Sequence, residues 1–155
     1  MELATTIKIS AVLVAKCSGF ILFKPKDIVS GDFYWACEKK DCFYLAVCDS
    51  TGHGVPGAFM SLLNISFLNE AVIEKNISAP NEILNHVRQK LIDSVSQDGG
   101  QDGMDCVLMC FDKKNSTITY AAAKNNLLLV RDKALIEFPG DKMPVGKGEN
   151  TNSFT

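Results

Sequence analysis

Short runs of alternating or continuous apolar residues lie toward both ends of the chain, and two longer stretches with helical spacing separate them. Phe20-Ile21-Leu22-Phe23 is a brief apolar run stopped by Lys24-Pro25. Asp32 to Glu38 is rich in aromatic residues and predicts a strand. Lys39-Lys40-Asp41 is a polar turn, and Cys42 to Cys48 predicts the returning strand of a hairpin. Asp32 then starts one strand and Asp49 ends its antiparallel neighbour, so the two carboxylates can meet.

Pro56 suits the first turn of a helix, where its missing N–H is not needed. Phe59, Leu62, Leu63, Ser66, Phe67, Glu70 and Ala71 follow helical spacing, and their apolar members predict one broad buried face on a helix running to about Lys75. Ser78-Ala79-Pro80-Asn81-Glu82 predicts a second helix start with Ser78 as N-cap. Its core stripe is Ile83, Leu84, Val87, Leu91, Ile92 and Val95. Ser96 to Gly103 reads as a loop. Beyond it come strands at Cys106 to Phe111, Thr117 to Ala123, Leu127 to Arg131 and Ala134 to Phe138.

Strands, two helices, then strands make an α+β pattern, with helices packed on a sheet. No repeat, low-complexity tract or linker divides the chain, so residues 1–155 are expected to form a single domain. Ile7 to Ala15 is too short to span a bilayer and lacks both a basic leader and a small-residue cleavage site. It is expected to be a first or edge strand, with no membrane span.

Composition narrows the function classes. Sixteen basic and 18 acidic residues leave a net charge of −2 with no basic run, which argues against nucleic-acid binding. The six cysteines form no C-x-x-C pair and only two histidines are present, a poor ligand set for zinc. Cys48, Cys106 and Cys110 sit in apolar runs as small core residues, which fits a reduced, cytoplasmic protein.

The candidate chemistry lies in Ser30-Gly31-Asp32-Phe33-Tyr34 and Asp49-Ser50-Thr51-Gly52-His53-Gly54-Val55-Pro56-Gly57-Ala58. Two carboxylates held close repel each other unless a cation sits between them. A hard divalent ion such as Mg²⁺ or Mn²⁺ prefers such oxygen donors. Gly52, Gly54 and Gly57 would let a phosphate approach a helix start, although no Gly-Lys-Ser/Thr sequence makes this a nucleotide-binding loop. His53 suits a general acid or a phosphate contact. As a loop residue it needs neither role, and that reading is favoured. Asp105 reads as a strand-start aspartate, with a supporting position behind the ligands as the other option.

In order and at this spacing, these motifs resemble the metal-dependent Ser/Thr protein phosphatases of the PPM or type 2C family. The branch they look most like is the SpoIIE-like bacterial one, whose motifs read Gly-Gly-Asp-Phe-Tyr and Asp-x-x-Gly-His/Lys-Gly-x-x-Ala. The likeness continues through Phe20 to Lys26, Gly103-Met104-Asp105, Ala121 to Asn126 and Asp141-Lys142-Met143-Pro144-Val145-Gly146, covering roughly residues 20 to 155.

The resemblance implies a β-sandwich flanked by helices and hydrolysis of phosphoserine or phosphothreonine by water activated between two Mn²⁺ or Mg²⁺ ions. Asp32 and Asp49 match metal-ligand positions, with Asp49 bridging, and Ser50 matches the residue offering its main-chain carbonyl. Gly52, His53 and Gly54 match phosphate or loop contacts. The implied substrate is a phosphorylated regulatory protein of the anti-sigma-antagonist kind. Two later aspartate motifs of the family, Asp-Gly-hydrophobic-x-Glu and Asp-Asp-x-Thr, do not occur here. The expectation is therefore a partial domain, incomplete at its C-terminus. Exposed apolar faces would favour a homodimer, and the alternative function is a non-catalytic interaction module.

Overall fold

The computed structural model describes residues 10–14, 18–25, 27–95, 102–150 and 152–155. Its centre is a five-stranded sheet built from β3 (Asp32–Lys39), β4 (Cys42–Ser50), β5 (Gly103–Asp112) and β6 (Thr117–Ala123), with the two-residue β9 (Val145–Gly146) paired to the start of β5. All pairings are antiparallel. Two separate hairpins accompany it: β1 (Ser10–Val14) with β2 (Ser18–Leu22), and β7 (Leu127–Arg131) with β8 (Ala134–Phe138). Of the expected strand at Ile7 to Ala15, Ser10–Val14 is β1; Ile7 to Ile9, Ala15 and Cys17 lie outside the described residues.

One face of the sheet carries Phe33, Trp35, Tyr44, Ala46, Cys48, Cys106 and Leu108, and on it pack helices α1 (Gly54–Asn69) and α2 (Pro80–Ser94). Cys48 and Cys106 are opposed across β4 and β5 with their sulfurs 3.2 Å apart, and the five described cysteines are free thiols. Period-two alternation sends Asp32, Tyr34, Val47, Asp49, Asp105 and Val107 to the opposite face. Phe23 meets Tyr34 and Phe138 meets Tyr120 edge-on, tying the region after β2 and the end of β8 to that second face.

The sequence stripe of α2 is borne out: Ile83, Leu84, Val87 and Leu91 are fully buried, with Ile92 and Val95 half-buried. Its N-cap is Ala79 rather than Ser78, because Pro80 opens the helix and holds Ala79 in extended backbone. The first helix needs a larger correction. Its buried residues are Gly57, Met60, Ser61, Asn64 and Leu68, whereas Phe59 and Leu62 stand well exposed and Leu63 about a third exposed. The helix has no charged residue, so hydrophobic spacing cannot choose its inner face. Small and polar side chains won that face because the helix lies close over two loops whose carbonyls need donors.

Past Asn69 the helix widens into a π-helical segment, Glu70–Glu74, and Lys39 Nζ donates to the carbonyls of Val72 and Ile73 near its end. Gly54–Glu74 has the length and apolar composition of a membrane-crossing helix. Here one of its faces is buried against the sheet, as in the core helix of a globular domain.

Candidate functional site

The β3–β4 hairpin pairs Asp32 directly with Asp49, as the turn and strand pattern predicts. In the next pairing Asp49 stands opposite Asp105 of β5. Cross-strand partners project to the same side, so three carboxylates stand abreast on one sheet face. Lys124, one residue beyond β6, completes the row, its Nζ 3.7 Å from Asp105 Oδ1. Asp105, read from sequence as a strand-start aspartate with a supporting position behind the ligands as the other option, is a member of the same row. The Cys48–Cys106 match on the buried face follows from the same register.

The electrostatics follow from crowding. Burial, then a hydrogen bond and charge repulsion from Asp49, push the Asp32 carboxyl up from 3.8 to about 6. Burial also raises Asp105, opposed by Lys124 and reinforced by Asp49. Like charges in a row, with one lysine at the far end, leave the Asp32–Asp49 end short of positive charge. This donor set is oxygen-only and suits a hard divalent cation. Among the described residues, no three His, Cys, Asp or Glu side chains gather closely enough to hold an ion by themselves.

Two loops carry the pair, and α1 clamps both. Ser30 Oγ accepts from Asp32 N at 2.9 Å, and Gly31 O accepts from Ser50 N at 3.1 Å, joining the first motif to the second. Ser61 Oγ donates to Gly31 O at 2.7 Å, and Asn64 Nδ2 donates to Ser50 Oγ at 2.9 Å. These buried polar residues carry no motif of their own, and their mid-helix position in an apolar run was the available signal. The Ser50 hydroxyl therefore faces the helix. Its carbonyl oxygen and that of Gly52 both lie 2.7 Å from where a Cβ on Gly31 would stand. Gly57 is equally constrained, since a Cβ there would come 2.6 Å from Gly52 O. It serves close packing of the helix start against the loop.

Gly52 at φ +95° turns the chain out of β4, and His53 becomes the extended N-cap of α1 without a side-chain capping bond. Its imidazole is 86% exposed, with Nδ1 4.0 Å from Asp27 Oδ2. Thr51 locks this turn to β5: its N–H and hydroxyl donate to Gly103 O at 2.9 and 3.1 Å, and Gly103 N–H donates to Thr51 Oγ1 at 3.2 Å. A cavity of about 730 Å³ opens beside the aspartates, and its lining includes Asp49, Gly52, His53, Asp105, Lys142, Lys147 and Glu149.

Comparison with known proteins identifies the fold and family. The family described as Stage II sporulation protein E (SpoIIE) matches residues 39–153, a span holding Asp49 and Asp105 and beginning just after Asp32. The solved SiaA-PP2C domain of Pseudomonas aeruginosa is 31% identical with a TM-score of 0.78, over 88% of this chain and 53% of that one. The PP2C phosphatase domain of SpoIIE from Bacillus subtilis, solved with a fragment of its regulatory domain, is 19% identical with a TM-score of 0.67, over 96% of this chain and 41% of that one. The RsbU and RsbW domains of a Mycobacterium tuberculosis protein give 18% identity and a TM-score of 0.66, over 96% and 38%. The chain thus spans about half the length of the first of these structures. No curated protein matches it at a significant level.

Proposed function

This chain belongs to the SpoIIE family of PP2C-type phosphatase domains, and on that premise we propose that it hydrolyses phosphoserine or phosphothreonine on a regulatory protein with the help of Mn²⁺ or Mg²⁺. The observation that carries this is the row Asp32–Asp49–Asp105 across three paired strands. Asp32 and Asp49 would hold the ions with the main-chain carbonyl of Ser50. A bound divalent ion would supply Lewis-acid activation of water and neutralise phosphate charge.

The chain's own residues do the rest. The hairpin register keeps two hard donors side by side before any ion arrives, so little reorganisation is needed on binding. Ser61 and Asn64 hold the two loops from the helix side. Lys124 neutralises part of the Asp105 charge. His53, exposed and on the cavity lining, would contact an incoming phosphoprotein rather than move a buried proton. A substrate of the anti-sigma-antagonist kind is supported by the family and by the neighbour that joins an RsbU to an RsbW domain.

The test is phosphate release from a phosphoserine protein by the purified chain with Mn²⁺, Mg²⁺ or EDTA. Metal-dependent release that Asp49→Asn abolishes is expected. Release unaffected by EDTA or by that substitution would refute the proposal. A phosphatase-fold interaction module is the second reading, favoured by the lack of a three-side-chain metal cluster among the described residues. Calorimetric titration with Mn²⁺ separates the two, because saturable binding lost in Asp49→Asn excludes the module.

A further inference from the structure

We propose that Lys142 and Lys147 form an anion-reading wall of the cavity, taking the phosphomonoester dianion of a phosphoserine or phosphothreonine segment. This deepens the phosphatase function proposed above and rests on it. The cavity lining carries both charges: Asp49, Asp105 and Glu149 with Lys124, Lys142 and Lys147. Lys124, also on the lining, is committed to Asp105 at 3.7 Å. Lys142 and Lys147 are exposed and enter no salt bridge among the described residues. Two unengaged ammonium groups facing a cavity walled by carboxylates can draw in an anion that the carboxylates alone would repel.

The backbone presenting these lysines is fixed. Between them lie Met143 and Val145, 2% and 0% exposed, which plug the segment into the core. Val145 and Gly146 pair with Met104 and Gly103, immediately before Asp105 on β5. Gly103 also anchors Thr51 of the loop after Asp49. Upstream, Asp141 N–H donates to Ala122 O at 2.8 Å, and the Asp141 carboxylate accepts from Thr155 N–H at 2.9 Å. The segment carrying the lysines is therefore tied to β5, the strand of Asp105, and to β6. A phosphate entering this cavity would meet cations on a preset frame, at low ordering cost for the backbone.

The experiment titrates a phosphoserine peptide, its unphosphorylated twin and inorganic phosphate against the wild-type chain, K142A/K147A and K142R/K147R by NMR chemical-shift perturbation, and measures KM and kcat with Mn²⁺ on the same peptide. Circular dichroism verifies that the exposed substitutions leave the fold intact. Expected are about tenfold weaker phosphopeptide binding and about tenfold higher KM in K142A/K147A, kcat within about twofold, and recovery in K142R/K147R. Competition by inorganic phosphate would assign recognition to the dianion itself. Recognition of the phosphopeptide without such competition would assign it to the phosphorylated segment. Both outcomes support the wall. Unchanged phosphopeptide affinity in K142A/K147A, or equal affinity for the unphosphorylated twin, overturns it. Lysine-dependent binding without metal-dependent turnover would sink the phosphatase function and keep the wall. Turnover with KM unchanged in K142A/K147A would do the reverse.

Discussion

Asp32 stands directly across from Asp49 in the β3–β4 ladder, and their proximity helps to hold the Asp32 carboxyl near 6 rather than 3.8. The raised value has a definite sign in stability. The folded chain keeps a proton on Asp32 that the unfolded chain releases near pH 3.8. Stability without metal should therefore fall as pH rises from about 4 to about 6 and level off above, by about 1 kcal/mol once solvent screening is allowed for. Urea denaturation in EDTA across this range checks it. Asp49→Asn should flatten the slope, because the facing charge is gone.

Lys124 competes with any cation that Asp105 helps to hold, since its Nζ lies 3.7 Å from that carboxylate. Lys124→Ala should tighten Mn²⁺ binding about threefold to tenfold, the reverse of the usual effect of truncating a site residue. Calorimetry at low ionic strength measures it. Weaker Mn²⁺ binding in the variant would place the ion away from Asp105.

Asn64 is fully buried on α1 and donates to Ser50 Oγ, while its own Oδ1 has no partner. Asn64→Ala removes one hydrogen bond and one unsatisfied acceptor together. The loss should be modest, about 1 kcal/mol. Ser61→Ala should cost more, about 2 kcal/mol. It removes the 2.7 Å bond to Gly31 O, leaving that carbonyl the longer bond from Ser50 N–H, and takes away the hydroxyl 3.0 Å from Ser30 O. Thermal melts of both variants supply the comparison, and the opposite ranking would contradict it.

Val55, Phe59 and Leu62 expose 60–64% of their surface along the outer side of α1. An apolar helix face of this kind promotes self-association. Light scattering of the wild-type chain at high concentration should show a dimer, and Phe59→Lys should shift it to monomer without loss of helix content. A wild-type chain that stays monomeric would remove this face as a contact.

The parts of the fold readable in the sequence were the local ones. A polar turn between two strand-like runs was enough to pair Asp32 with Asp49, because hairpin register depends on residues close in the chain. The α2 stripe was readable because charged residues mark its outer side. The inner face of α1 was not, since an uncharged helix of Leu, Phe, Ile and small residues has no polar side for periodicity to detect.

The sequence by itself therefore determined the hairpins, the amphipathic second helix, the family resemblance and two of the aspartates. Only the tertiary structure set Asp105, 56 positions beyond Asp49, directly opposite it, through the pairing of β4 with β5 across both helices. It alone turned Ser61 and Asn64 inward and brought Lys142 and Lys147 to the lining of the same cavity as Asp49 and Asp105. These placements depend on which distant strands share a ladder and how closely a helix can approach a loop. Such contacts are selected by packing and hydrogen-bond satisfaction over the whole domain, and local pattern carries little record of them.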